Sequence, residues 1–130
     1  MTTYYVRETG SDANAGTSSG ASFLTLGKAA TSVAAGDTVW VGSGVYREVL
    51  TLSTSGTNGN LITWNADVDG AQTGDAGEVR IGESPNDWPG ASANAWALVM
   101  AGKNYNTFNK FTMCSNNFGV FAQYKHRQIR

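Results

Sequence analysis

Short apolar segments recur along most of the chain and predict a protein built largely of strands. The segments after Gly36 are TVWV (38–41), VLTL (49–52), LITW (61–64), VRI (79–81), ALVM (97–100), FNKFTM (108–113) and GVFA (119–122). A further β-rich run, TYYVR, occupies residues 3–7. The segments between them are rich in Gly, Ser, Asp and Asn, which favour turns and loops. The pattern therefore predicts short strands joined by turns.

One stretch has the period of a helix. In TLGKAATSVAAGD, apolar residues fall at i, i+3, i+4, i+7 and i+8, which is one face of a helix. These residues are Leu26, Ala29, Ala30, Val33 and Ala34. Thr25 fits the N-cap position and Gly36 fits the position after the last turn. The sequence predicts one substantial helix, over residues 25–35.

Strands this short fit either an antiparallel sandwich or a β-solenoid. The solenoid is favoured because two-residue Asn-Gly hairpins are missing except within TNGN, and because a helix before the first coil would cover its open end. Alternating apolar residues also predict a single inward face. These are Val39 and Val41, Leu50 and Leu52, Ile62 and Trp64, and Leu98 and Met100. The expected fold is all-β, with residues 1–36 as strand, loop and capping helix and 37–130 as about three coils.

Composition excludes several classes of protein. The 130 residues are 41% hydrophobic and 15% charged, with a formal net charge of −1. The basic residues are scattered, so nucleic acid is not an expected partner. No apolar run approaches the roughly 18 residues of a membrane span, and the first residues lack the pattern of a secretory signal peptide. Cys114, the single cysteine, is interpreted as a small buried hydrophobic residue.

Four segments resemble a known superfamily. TLGKAA, GDTVWVGSGVYRE, SGTNGNLITWNA and YNTFNKFTM resemble the N-terminal cap and first coils of right-handed parallel β-helix proteins of the pectate-lyase-like superfamily. The resemblance implies a right-handed single-stranded parallel β-helix in which Gly36 and Asp37 form a corner and Tyr46 fills the next one. The superfamily includes polysaccharide lyases, hydrolases and phage tailspikes, so the fold does not choose an activity.

Acidic residues provide the candidate metal ligands. Lyases of this superfamily commonly use calcium held by carboxylates, and calcium takes several oxygen ligands. The richest cluster here lies in DVDGAQTGDAGE and contains Asp67, Asp69, Asp75 and Glu78. The alternative is a solvated loop between strands. In the loop GSDANAGT, Asp12 and Asn14 are expected to form Asx turns that pin the cap loop.

Tryptophans provide the candidate sugar contacts. Trp40 alternates out of phase with its inward-facing neighbours and Trp88 lies in a loop, so either could stack on a sugar ring. The alternative is that Trp40 packs under the cap loop, while Trp64 and Trp96 pack in or near the core. His126, the only histidine, lies in a polar tail and is interpreted as solvated. Because no paired carboxylate and base appear on adjacent strands, catalysis by this chain alone is not expected.

Two functional hypotheses follow. The first is a structural β-helix protein of a phage particle, such as a tail fibre, tailspike or capsid-surface component. It would be made in the host cytoplasm, would reside in the virion, and would contact other virion subunits, further copies of itself or a polysaccharide. The alternative is the N-terminal piece of a secreted polysaccharide lyase or hydrolase.

The last 25 residues are rich in apolar side chains with no evident cap behind them. They are Phe108, Phe111, Met113, Phe118, Val120 and Phe121. An uncovered apolar coil end marks an interface. The sequence therefore predicts self-association, or attachment to a larger assembly, through this end.

Overall fold

The computed structural model describes residues 1–46, 48, 50–81, 98–113, 120–121 and 128–129, and it is mostly β. The first sheet contains β1 (Thr3–Val6), β2 (Thr38–Val41), β5 (Ile62–Ala66), β8 (Asn106–Asn109) and β11 (Gln128–Ile129). The second contains β3 (Gly44–Tyr46), β6 (Val79–Ile81) and β9 (Thr112–Met113). The third contains β4 (Leu50–Thr51), β7 (Leu98–Val99) and β10 (Val120–Phe121).

Every pairing within the three sheets is parallel. From β2 onward, the chain passes through the first, second and third sheets in turn and then returns to the first, so each pass places a new strand beside the previous one. Parallel strands of this kind cannot be joined by tight hairpins and need longer connections. The arrangement is β-helix-like, and the antiparallel sandwich is not what the described residues form.

The core consists of apolar side chains stacked in register on successive strands. Val39, Trp64 and Phe108 are register partners on β2, β5 and β8 and are fully buried. The rings of Trp64 and Phe108 stack with centroids 5.5 Å apart. The predicted alternation is confirmed, because all eight inward residues named from the sequence are at most 3% exposed. The pleat of each strand therefore sends one set of side chains inward.

A buried polar contact fastens one corner of this core. Trp64 Nε1 donates to Asn106 Oδ1 over 3.1 Å, and Asn106 is 1% exposed. The Asn106 amide nitrogen donates in turn to the carbonyl oxygens of Thr54 and Asn104. The corner is thus held by hydrogen bonds that satisfy the buried amide, as buried polar groups require.

The helix α1 spans Leu26–Ser32 and packs against β1 and β4. Thr25 is its N-cap, as predicted, because the Thr25 hydroxyl accepts from Lys28 N over 3.2 Å. The helix is shorter than the predicted 25–35. Val33 has extended backbone with ψ 153° and forms the C-cap, although its side chain still packs in the core at 6% exposure.

The corner after α1 explains why the helix stops early. Asp37 N donates to Ala34 O, and the Asp37 carboxylate accepts from Ala34 N and Thr2 N. Gly36, at φ +89°, supplies the left-handed residue of this corner, in line with the sequence. The competing turn takes up backbone groups that a longer helix would have needed.

Two carboxylates cover the N-terminus of α1. Asp12 Oδ1 accepts from Leu24 N and Thr25 N, and Asp12 Oδ2 accepts from the Thr25 hydroxyl. Glu48 accepts from the next two amides, Leu26 N at 3.0 Å and Gly27 N at 2.9 Å. Together with the Thr25 cap, these contacts satisfy the amides that a helix leaves unpaired at its start.

The cap loop also closes the outer edge of β1. Tyr5 N donates to Gly16 O, Phe23 N donates to Tyr5 O, and Arg7 N donates to Phe23 O. The ring of Phe23 is buried and stacks on Tyr4 with centroids 5.7 Å apart. The amides of Tyr5 and Arg7 and the carbonyl of Tyr5 are therefore paired with this loop.

Tyr46 fills the corner after β2, as the resemblance implied. Its side chain is 4% exposed, and its hydroxyl donates to Gly42 O over 2.9 Å. Burial raises the pKa of Tyr46, with smaller contributions from nearby carboxylates, so the phenol stays protonated as a donor.

Several elements differ from the sequence-based expectation. The segment FNKFTM (108–113) is divided between β8 and β9, because Lys110 adopts a left-handed turn at φ +66°. The strands β3 and β11 are not among the predicted strands, because their residues lie between or beyond the apolar segments that the sequence pattern selects. Five residues discussed from the sequence lie outside the described residues: Trp88, Trp96, Cys114, Phe118 and His126.

In the part of the chain that the structure describes, no helix has the length and apolar character of a membrane span.

Candidate functional site

A row of outward-facing side chains runs across the first sheet. Tyr5, Trp40, Asn65 and Asn109 are register partners on β1, β2, β5 and β8. Trp40 faces outward and is half-buried, as its phase in the sequence predicted. Asn109 Nδ2 donates to Asn65 Oδ1 over 2.8 Å, which links two coils on the outer surface. The row therefore offers one indole and two side-chain amides on adjacent strands.

A depression of about 750 Å³ lies beside this row. Trp40, Asn65 and Asn109 come from the sheet, the segment after β5 forms one wall, and Lys110 lies beyond the end of β8. The wall residues in contact with the depression are Asp67, Val68, Asp69, Ala71 and Gln72. An aromatic ring surrounded by amides, carboxylates and an ammonium group is suited to a small polar ligand with an apolar face.

Asp67 holds the wall in shape. It is 1% exposed, and its Oδ2 accepts from Gln72 N at 3.0 Å, Thr73 N at 2.6 Å and the Thr73 hydroxyl at 2.7 Å. Gly70 allows the tight return at φ +73°, since a Cβ there would lie 2.8 Å from Ala76 N. Asp67 Oδ1 is buried and has no hydrogen-bond partner among the described residues. One carboxylate oxygen thus orders the loop and the other is left unpaired.

The four acidic residues suggested as calcium ligands do not converge. Asp75 makes a two-point ion pair with Arg7, at 2.7 Å from Nε to Oδ2 and 3.1 Å from Nη2 to Oδ1. This contact holds the pKa of Asp75 below its usual value. Glu78 accepts from the Thr112 hydroxyl, and Asp69 accepts from Ala71 N. In the described part of the chain, no three His, Cys, Asp or Glu side chains are placed to hold a metal ion.

Asp12 and Asn14 pin the cap loop, but their side chains bond to residues farther along the sequence than the expected Asx turns would reach. Asp12 bridges to residues 24 and 25, and Asn14 Nδ2 donates to Ser22 O over 2.9 Å. Sequence reasoning missed Asn65, Asn109 and Lys110 as site residues. A local signal existed, because both asparagines follow a Thr–aromatic pair, in TWN at 63–65 and TFN at 107–109.

Comparison with known proteins finds similarity to a solved structure. No family model matches the chain, and no curated protein matches it. The solved complex structure of XylC with xylose is similar, with a TM-score of 0.52 and 39% sequence identity. The match covers 61% of this chain and 11% of that chain, so the chain corresponds to a small part of XylC. The similarity agrees with a β-helix-like fold of parallel strands.

Proposed function

We propose that this chain forms the N-terminal, capped end of a right-handed single-stranded parallel β-helix that binds carbohydrate in the depression beside Trp40. The repeated visits to three parallel sheets support the solenoid. Crossover connections between parallel strands are nearly always right-handed, which supports the hand. The resemblance of the cap and first coils to pectate-lyase-like proteins is consistent with both.

The position of Trp40 carries the proposal of a sugar ligand. A half-buried indole at the edge of a concave surface presents an apolar face that a sugar ring can cover. Among the described residues, no further hydrogen bond uses the amide N–H groups of Asn65 or the carbonyl oxygen of Asn109. A sugar hydroxyl group both donates and accepts, so paired amide donors and acceptors next to an aromatic ring suit it.

The similarity to XylC supports the same ligand class. XylC was solved in complex with xylose, and the aligned segment is 39% identical to this chain. A carbohydrate ligand is therefore favoured for the depression over nucleotides or metal ions. We place the chain with carbohydrate-active β-helix proteins, which corresponds to the polysaccharide-lyase or hydrolase alternative.

Titration calorimetry with xylose and xylo-oligosaccharides tests the proposal. Trp40→Ala should abolish measurable binding, because the stacking surface is lost. Tyr5→Ala is the matched control, since Tyr5 belongs to the same outward row but does not line the depression. Circular dichroism and thermal melting establish that both variants fold. Equal binding by the wild type and Trp40→Ala, or no binding of any sugar by the wild type, would contradict the proposal.

The phage-particle hypothesis stays a prediction, as do the virion location and self-association through the C-terminal coil. Phe108 is buried and Phe111 packs partly against the core, so these two rings do not form an exposed patch. The other four apolar residues of that group have side chains outside the described set. Light scattering of the 130-residue chain tests self-association, and a stable monomer at high concentration would contradict it.

Absence of catalysis by this chain alone also stays a prediction. Assays for unsaturated products from pectate, alginate and chondroitin test lyase activity, and release of reducing sugar from xylan tests hydrolysis. Turnover that is lost in Asp67→Ala or Asp69→Ala would contradict it and would give the acidic loop a direct role.

A further inference from the structure

The depression carries an excess of negative charge. Two of its lining residues are carboxylates, Asp67 and Asp69, and both belong to the wall after β5. Among the described residues that line it, Lys110 is the one cationic side chain. A ligand in the depression therefore meets a wall that is negative as a whole.

No cationic side chain among the described residues forms a salt bridge with Asp67. Its hydrogen-bond donors are two backbone amides and one hydroxyl group, all of them neutral. Arg7 is engaged by Asp75 and by Ser19 O. Because Asp67 is 1% exposed, water and salt screen its charge less than they would screen a surface carboxylate.

Lys110 offsets this charge only in part. Its side chain is exposed, whereas the carboxylate of Asp67 is buried. A solvated ammonium group on a flexible stem interacts weakly with charges around it, in the range of exposed ion pairs. Asp69 is also exposed and lines the same depression, so its negative charge offsets the positive charge of Lys110.

Resting on the proposed function, we propose that this depression selects neutral sugars and rejects uronates. A sugar carboxylate at the depression would lie near a buried, unpaired acceptor and a second carboxylate, and each repels it. The hydroxyl groups of a neutral sugar instead donate to carboxylate and amide oxygens. This selectivity separates the chain from the uronate-cleaving lyases of the superfamily that its cap and first coils resemble.

The test compares a charged sugar with its own neutral form. Binding of tetragalacturonate and of its fully methyl-esterified form is measured at low salt, with xylotetraose as an unrelated neutral ligand. We expect the acid to bind about tenfold more weakly than the ester, a ratio typical of one partly screened like-charge contact. Added salt should narrow the ratio, because it screens the repulsion.

Two variants of lining residues, and one control variant outside the depression, test whether the preference for the ester arises at the depression. Asp69→Asn removes a lining charge and should narrow the ratio several-fold, whereas Lys110→Gln should widen it. Glu78→Gln removes the same charge from an exposed residue outside the depression and should leave the ratio nearly unchanged.

The outcomes separate this inference from the proposed function. If the acid binds as tightly as the ester, or Asp69→Asn acts no more strongly than Glu78→Gln, the selectivity is overturned while Trp40-dependent binding of xylotetraose preserves the sugar site. If the ester binds as poorly as the acid while xylotetraose binds, charge does not set the preference, and the inference is again overturned. If no sugar binds in a Trp40-dependent way, the proposed function itself fails.

Discussion

Two carboxylates, Glu48 at the cap and Asp67 beside the depression, are used in opposite ways. Each Glu48 oxygen accepts from one backbone amide at the start of α1. Asp67 concentrates three donors on one oxygen, and its other oxygen is buried and has no hydrogen-bond partner in the described part of the chain. Both carboxylate oxygens of Glu48 therefore accept hydrogen bonds, whereas only one oxygen of Asp67 does so among the described residues.

The difference separates a carboxylate that completes the fold at the cap from one that, in our proposal, also influences what the depression binds. Native proteins satisfy nearly all buried polar atoms, and an exception calls for a specific explanation. At the cap, the pairing is complete and explains the shape of the chain. At the depression, the oxygen of Asp67 that has no partner among the described residues is consistent with our proposal for what this surface binds and excludes.

The largest expected effect is in the cap core. Val33→Asp places a charge at a site that is 6% exposed, and it should lower the free energy of unfolding by about 3 kcal/mol. Val68→Asp is the matched control at a residue that is 42% exposed, and it should cost under about 0.5 kcal/mol. Urea unfolding measures both. Similar losses of stability in the two variants would contradict the assignment of Val33 to the core beneath the cap helix.

The next effect tests the two carboxylates directly. Glu48→Gln sets an amide nitrogen against a backbone N–H and should cost about 1 kcal/mol of the free energy of unfolding. Asp67→Asn can keep its oxygen toward the three donors and place its nitrogen where the unpaired oxygen lies, so it should cost less than about 0.5 kcal/mol. Denaturant titrations give both losses in the free energy of unfolding. A larger loss in Asp67→Asn than in Glu48→Gln would contradict the difference drawn between the two carboxylates.

Asp12→Asn should cost about 1 kcal/mol at neutral pH, because Leu24 N and Thr25 N would then donate to a neutral amide oxygen and no longer to a charged carboxylate. Burial raises the pKa of Asp12, but hydrogen bonds from Thr25 and Leu24 outweigh this and hold it below its usual value. The folded state therefore favours the ionised form. This contribution is complete above the unfolded pKa near 3.8 and disappears as pH falls through the lower folded pKa.

The difference between wild type and Asp12→Asn in urea unfolding should accordingly shrink in acid. A difference that stays constant down to about pH 2.5 would show that the folded pKa of Asp12 is not lowered.

The smallest expected effect is the pH dependence of the stability that Glu48 contributes, and its sign is opposite to that of Asp12. Burial raises the pKa of Glu48, although two backbone hydrogen bonds oppose the shift. The folded state then binds a proton more readily than the unfolded state, so this group adds stability as pH falls from neutral toward 4.5. A protonated carboxyl oxygen can still accept from an amide, which the nitrogen of glutamine cannot do. The gap between wild type and Glu48→Gln should therefore widen slightly over this range, and a narrowing gap would contradict the sign.

Local pattern was sufficient for most strands and for the start of the helix. Alternation placed β2 and β6 at their observed residues, because one face of each strand is buried and the other is not. It missed β3, which has three residues beside a Gly-Ser-Gly turn, and β11, which lies in a polar segment. The end of α1 was set by a corner that involves Thr2 and Asp37, 35 residues apart, and no local period reports such a contact.

The candidate site was only partly accessible to sequence reasoning. The outward direction of Trp40 follows from its phase in a four-residue strand, which the structure confirms. The contact between Asn65 and Asn109 spans 44 residues and depends on the register of β5 and β8. The acidic cluster was visible in the sequence, but the ion pair of Asp75 with Arg7, 68 residues away, divides it. Long-range register, rather than composition, determines which polar groups meet.

The paired outer edge of β1 has a consequence for aggregation. Exposed edges of parallel sheets recruit strands from other chains, which is a route to fibrous deposits. Here the amides of Tyr5 and Arg7 and the carbonyl of Tyr5 are already bonded to residues of the cap loop. A foreign strand would first have to displace the buried ring of Phe23. The cap therefore acts as a barrier to templated growth at this end of the sheet.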